Sequence, residues 1–352
     1  MRRKVTLLPL HHGKAPSWLF ERMVKFACSV MEIILFEYNP HEFLKRISDP
    51  IWFQAFGSAA GFDWHSSGLT TTVCAAIKEA SLVLPDLPIA ICGGKAKKAL
   101  ETPKEIIFYG EKWGIDVDSL IEKSRLCAKI DNVLLQDGYD LYHHTFIFTK
   151  DGSWAVIQQG LNETSRMARR YQWLSSENLD LVADPHTGIT CDKTHTVLNL
   201  ATKESKKAQE AMLDFVRQDP DLMMKDLKKI TLSMPERHYI SKDDLDMERL
   251  KKILTLIHEN QPESYVDLIK IYGVGKKTIA ALSLVSELIY QSPPSFKDPA
   301  RFSFAHGGKD GHPYPVNRKV YDETIEFLKS AIEKAKLKDR EKLDAMRRLS
   351  MF

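Results

Sequence analysis

The chain lacks most of the features that would assign it quickly. Five cysteines among 352 residues, Cys28, Cys74, Cys92, Cys127 and Cys191, stand singly with no Cys-x-x-Cys pair. That spacing speaks against a structural zinc centre or a disulfide framework and for a reducing compartment. No apolar run reaches the roughly 18 residues that cross a bilayer, and in the basic start, MRRKVTLLPLHHGKAP, Pro9 and two histidines break up the apolar residues. Neither a membrane span nor a signal peptide is expected, and the protein reads as cytoplasmic. A dominant charge is missing as well: 50 Lys and Arg face 47 Asp and Glu, a net +3. Any nucleic-acid surface must therefore be local. No GxxxxGK[ST] stretch occurs, which leaves P-loop nucleotide hydrolysis without support.

What is present is an ordinary globular composition, 43% hydrophobic and 28% charged, long enough for two or three domains. The expected architecture is α/β (α+β), with an N-terminal body built on a small mixed sheet and an all-α C-terminal unit. We place a mixed α/β catalytic domain at 1–200, a helical linker at 201–240 and a helical domain at 241–352. Residues 5–10 and 87–92 read as buried strands. Gly93, Gly94 and Lys95 follow the second directly, a turn able to cradle phosphate or simply a solvated basic turn.

Residues 129–173 are the richest stretch. Lys150-Asp151-Gly152 marks a hairpin turn between two β-rich arms. Alternation puts His143 and Thr145 on one face and His144 and Phe146 on the other, with Ala155, Ile157 and Gln159 opposite in sense to Trp154, Val156 and Gln158. Lys129, Asp131, Asp137, His143, His144, Gln158 and Gln159 crowd polar groups into β structure. Each one left unpaired away from water would cost about 1–3 kcal/mol. They are therefore the candidate catalytic set, the alternative being a hydrogen-bonded network that fixes the hairpin. Arg166, Arg169 and Arg170, beside Tyr171 and Trp173, would hold phosphates and unpaired bases. Secondary candidates are Asp63 and His65 in a hydroxyl-rich loop, His186 alone in a turn, and His306, Lys309, Asp310 and His312 in a glycine-rich loop.

Residues 265–290, YVDLIKIYGVGKKTIAALSLVSELIY, predict two apolar helices separated by Gly273-Val274-Gly275. Lys276, Lys277 and Thr278 open the second helix, whose first N–H groups form an anion site. This pattern resembles the helix-hairpin-helix element, which grips a DNA strand by its phosphates without reading bases. The resemblance implies DNA contact through Gly273, Gly275, Lys276, Lys277 and Thr278; by their own chemistry, Lys95 and the three arginines are further expected backbone contacts.

Four longer stretches, LPLHHGKAP, WFQAFGSAAGFDWHSSGLTTTVC, the run from AKIDNVLLQDGYDLYHH to RRYQWLS, and DPARFSFAHGGKDGHPYPV, resemble the prokaryotic domain-of-unknown-function 763 family. That resemblance implies a stand-alone cytosolic protein with a mixed α/β body and brings no catalytic residue with it. A narrower one is to bifunctional DNA glycosylases, whose Gly-hydrophobic-Gly-x-Lys-Thr hairpin places a Schiff-base lysine where Lys277 stands here; Asp298 lies in about the region of their catalytic Asp, in a different context.

Three functions are carried forward. The first is a DNA-processing enzyme, a nuclease in which Asp137, His143 and His144 hold a divalent ion (Mg or Mn) and Lys129 steadies the developing phosphorane charge. No standard [Asp/Glu]-x-Lys or His-x-Lys nuclease signature is present. The second is a base-excision glycosylase or lyase using Lys277, and the third a non-catalytic DNA-binding protein. Sequence-nonspecific DNA is the expected partner, no membrane is, and a homodimer is left open.

Overall fold

The computed structural model describes residues 17–61, 68–191, 194–230, 246–302, 318–334 and 338–349. Its organising element is a five-stranded sheet in the order β1-β3-β4-β5-β6, with β1 at Ile89–Lys95, β3 at Asp140–Thr149, β4 at Trp154–Asn162, β5 at Met167–Leu174 and β6 at His186–Thr190. Every pairing of these strands is antiparallel, where a small mixed sheet was expected. The reason lies in the connections: β3, β4 and β5 follow one another through short turns, which permit only antiparallel neighbours. Asp151 shapes the first turn, its carboxylate accepting from the Ser153 amide at 3.1 Å and from the Thr149 hydroxyl. A second sheet pairs β2 (Leu135–Gln136) with β7 (Leu198–Asn199).

Alternation sends apolar side chains to both faces of the large sheet, so both must be covered. Ile89, Ile91, Ile147, Ala155 and Ile157 pack under α1 (Ser17–Glu37), α2 (Pro40–Ser48), α3 (Pro50–Ala59) and α4 (Gly68–Val83). Proline at the first position of α2 and α3 follows Asn39 and Asp49, whose side chains cap the new helices. Phe146, Phe148, Trp154, Val156, Tyr171, Trp173 and Ile189 face the other way. Their cover comes from α6 (Thr102–Trp113), α7 (Val117–Lys129), α8 (Lys206–Val216) and α9 (Pro220–Ile230), with α10 (Met247–Asn260), α11 (Tyr265–Lys270) and α12 (Lys276–Leu288). The one-turn helix α5 (Lys97–Leu100) follows β1.

The segments grouped by sequence as one helical unit divide between these two cores. The helices α10 to α12 join the second, while α13 (Arg318–Lys334) and α14 (Asp339–Leu349) join the first beside α1 and α3. Among the described residues, no helix is long and apolar enough to cross a membrane.

Candidate functional site

The sheet's alternation separates the two adjacent histidines. His144 faces α7, where its Nε2 lies 2.8 Å from the Ser124 hydroxyl and its Nδ1 2.9 Å from Gln158 Oε1. The Gln158 amide donates in turn to Asp131 at 2.5 Å, and the same carboxylate accepts from Trp173 Nε1 at 2.9 Å and pairs with His186 Nε2 at 2.5 Å. Asp131 reaches this place because the chain leaves α7 in a single π-helical turn, Ile130–Leu134, which turns it inward. The outcome is one buried chain of hydrogen bonds from Ser124 to His186.

A second buried carboxylate closes on itself. Asp137 accepts from Arg169 at 3.0 Å and from the Tyr171 hydroxyl at 2.6 Å, and Arg169 reaches on to Asp298 at 2.7 Å. Burial pushes the Asp137 carboxyl up, against the pull of Arg169 and Tyr171. Arg169 has no exposed side-chain surface. Its role is to neutralise two interior carboxylates, as a buried charge requires.

The face toward α1–α4 carries a polar row that crosses the whole sheet. Register places Lys95 opposite His143, His143 opposite Gln159, Gln159 opposite Arg170, and Arg170 opposite Thr190. His143 Nε2 lies 3.0 Å from the Thr145 hydroxyl, and its Nδ1 is buried with no partner among the described residues. Burial, with His144 and Lys95 adding to it, depresses His143 to about 3. Arg170 donates to Gln54 and Gln172 at 3.1 Å and stacks on Phe53, and burial lowers it to about 9.

These placements rearrange the expected site. Asp137 lies with Arg169, His144 with Asp131 and Gln158, and His143 with Gln159 on the opposite face, so the three residues expected to hold Mg or Mn do not converge. Both ring nitrogens of His144 are engaged, and Asp137 serves Arg169. Among the described residues no three of His, Cys, Asp and Glu form a metal-ligand group, so the expected ligand set does not fit an ion. Arg169 and Arg170 are buried on opposite faces of β5 rather than presented to a phosphate: two carboxylates meet the first, and the second spends its donors on Gln54, Gln172 and the Pro50 carbonyl. Arg166 is exposed in the turn before β5, and Lys95 is exposed over the Tyr142 ring. Lys129 is half-buried, lowered by that burial, and donates to the Ile271 carbonyl at 3.1 Å. Gln159 donates to the Tyr142 hydroxyl. Asp63, His65, His306, Lys309, Asp310 and His312 lie outside the described residues.

Residues 4–316 match the model of a family described as protein of unknown function, DUF763. The chain belongs to that family. No curated protein and no solved structure matches it. The DUF763 description names no activity, so chemistry has to come from the geometry.

The turn expected from the paired glycines joins α11 to α12. Ser264 and Asp267 form a reciprocal cap at the start of α11. Gly273 sits at φ +89 and Val274 is buried, while Gly275 is the N-cap of α12 and contributes no side-chain bond to it. The turn is docked on the body: Gln136 donates to the Lys276 carbonyl at 2.9 Å, and the Lys276 amine meets Asp140 at 2.5 Å. Thr278 is buried, and Lys277 is exposed in the first turn of α12.

Sequence reasoning noted His186 only as a lone histidine and took Trp173 for a stacking surface. Register across β5 and β6 sets Trp173 opposite His186, and their rings meet edge to face at 4.4 Å. A histidine 55 residues from Asp131 carries no local mark of that partnership.

Proposed function

We propose that this protein binds the phosphodiester backbone of DNA through the turn between α11 and α12, in the manner of a helix-hairpin-helix element, and that it is a DNA-processing protein. The start of α12 carries the reading. Its N-cap, Gly275, lies at φ −133, extended backbone open to any residue, and a Cβ there would meet nothing nearer than 4.0 Å. The fold does not require glycine at that position, whereas close approach of a phosphate to the N-terminal amides does. Lys276 and Lys277 stand beside these amides, and Tyr272, 91% exposed, stands just before them. The helical unit foreseen for 241–352 enters this reading only through α11 and α12.

Of the three functions carried forward, backbone binding has the firmest support. A nuclease whose Mg or Mn is held by Asp137, His143 and His144 is not supported by where those side chains lie, and no step is assigned to a metal here. For lyase chemistry through Lys277, the carboxylate of Asp298 is already shared between Arg169 at 2.7 Å and the His195 amide at 2.9 Å.

Fluorescence anisotropy with labelled duplex and single-stranded DNA tests the reading. The logarithm of affinity should fall linearly with the logarithm of salt concentration. Gly275→Asp fits the helix start as a cap yet sets a carboxylate against the phosphate, and should weaken binding at least about tenfold. Affinity insensitive to salt, or undisturbed by Gly275→Asp in a folded protein, would reject the proposal.

A further inference from the structure

We propose that Asp131 and His186 form a general-base dyad, and that the concave surface His186 borders takes a phosphodiester with Arg301 as its cation. The polynucleotide nature of the substrate rests on the DNA reading above; the dyad and its diester rest on geometry alone.

The two histidines of the buried chain differ in one respect. His144 uses both ring nitrogens internally. His186 uses only Nε2, against the fully buried Asp131 carboxylate, and its Nδ1 has no protein partner among the described residues. Asp131 is itself held by Gln158 and Trp173, and the Trp173 ring fixes the imidazole plane. With Nε2–H donated to the carboxylate, Nδ1 carries the lone pair. A carboxylate that fixes the tautomer and orientation of an imidazole is the arrangement that makes a histidine an effective proton acceptor near neutral pH.

That ring borders a shallow concavity of about 20 Å³, room for a single water and open to solvent, whose lining includes Leu135, Asp184, Asn199, Pro299 and Arg301. Arg301 is anchored by its amide to the Ile189 carbonyl at 3.1 Å, and its exposed guanidinium has no protein partner among the described residues. Asn199 spends its side-chain oxygen on the Ala201 amide at 3.1 Å, which leaves its NH₂ group as a donor. Asp184 is exposed at the same surface. Arg301 offers a single positive charge, which matches the one negative charge of a diester better than the up to two of a monoester near neutral pH, and the Asp184 carboxylate repels the second charge further. Leu135 lines the concavity, and the next residue, Gln136, holds the first turn of α12. The turn proposed to grip DNA is thus tied, through Gln136, to the strand that lines the concavity.

No serine, threonine or cysteine is among the described residues that line the concavity, and water is the proposed nucleophile. His186 Nδ1 takes a proton from it, the water oxygen forms a bond to phosphorus, and the bond from phosphorus to the leaving oxygen breaks. The imidazolium returns its proton to that oxygen, giving a phosphomonoester and an alcohol.

The experiment uses the full chain with bis(4-nitrophenyl) phosphate and a fluorescent oligonucleotide, each in chelator and in added Mg or Mn. Both diesters should be hydrolysed above the buffer rate, in chelator as well as in added Mg or Mn. His186→Asn should lower kcat at least about a hundredfold, and Arg301→Gln, a surface change, should raise KM. Hydrolysis of the small diester without measurable oligonucleotide binding would count against the hairpin alone, and oligonucleotide binding without hydrolysis of either diester against the dyad alone. No hydrolysis of either diester above the buffer rate overturns the proposal. So does hydrolysis that survives both His186→Asn, with its near-UV circular dichroism retained, and Arg301→Gln. Should His186→Asn fail to fold, an unchanged KM in Arg301→Gln overturns it.

Discussion

Asp131 and Asp137 stand six residues apart and both are shut away from solvent, yet they end differently. Around Asp137 the partners close: Arg169, Tyr171 and the Tyr139 amide all donate to it, and the far side of Arg169 is taken by Asp298. Around Asp131 the partners form a line, and one end, His186, opens on a concave surface. Burial of a charge is thus no guide to its use. A closed set neutralises interior charge and fixes distant segments to one another, here the β2–β3 turn, β5 and the chain near Asp298. An open set is held just as firmly, but keeps one atom for something outside the protein.

The largest expected effect tests the closed set. Arg169→Ala would leave Asp137 and Asp298 buried without their cation, and breaking such a pair costs about 3–5 kcal/mol. Urea denaturation of Arg169→Ala and His186→Asn should show the arginine variant much the less stable. Equal losses would erase the contrast, since His186 would then be no less structural than Arg169.

Acid provides the next test, with adjacent residues on opposite faces. Burial depresses His143 to about 3 and lowers His144 as well, with Gln158 and Asp131 pulling the latter back. For a histidine whose folded value lies below its unfolded value of about 6.5, the unfolded chain binds more protons between the two. Its contribution to stability is therefore complete above about 6.5 and declines as pH falls toward the folded value. For His143 the decline is about 2 kcal/mol between pH 7.5 and pH 5. Denaturation series at those two pH values should show it, and His143→Gln, which keeps a donor for Thr145, should flatten the slope. A variant with the wild-type slope would mean that the ring takes up its proton inside the fold.

The same contrast explains how far the sequence could be read. Alternation along β3 and β4 is a period-2 pattern with a turn marked by Asp151-Gly152, so the separation of His143 from His144 and of Gln158 from Gln159 was legible from one stretch. Both hairpin helices were legible for the same reason, a local period broken by glycines. Arg169 and Arg170 were not. RMARRYQW offers no apolar alternation, because both faces of β5 carry cations whose partners, Asp137, Asp298 and Gln54, lie 32, 129 and 116 residues away. Likewise the row from Lys95 to Thr190 exists only once β1 and β6 are added to the sheet, and no short-range signal sets their register.

The smallest effect concerns the two glycines of the hairpin, and it sharpens the distinction between what the fold needs and what it leaves available. At φ +89, Gly273 holds a backbone conformation that costs an L-residue about 1–2 kcal/mol, so Gly273→Ala should destabilise by that amount although the nearest atom to its new methyl, on Ile253, is 3.7 Å away. Gly275 is extended and unobstructed. Gly275→Ala should be neutral or stabilising by up to about 1 kcal/mol, through the smaller freedom of the unfolded chain. Thermal melting of the two variants side by side decides whether the pair differs. A destabilised Gly275→Ala would make both glycines requirements of the fold, and the start of α12 would lose its claim on a phosphate.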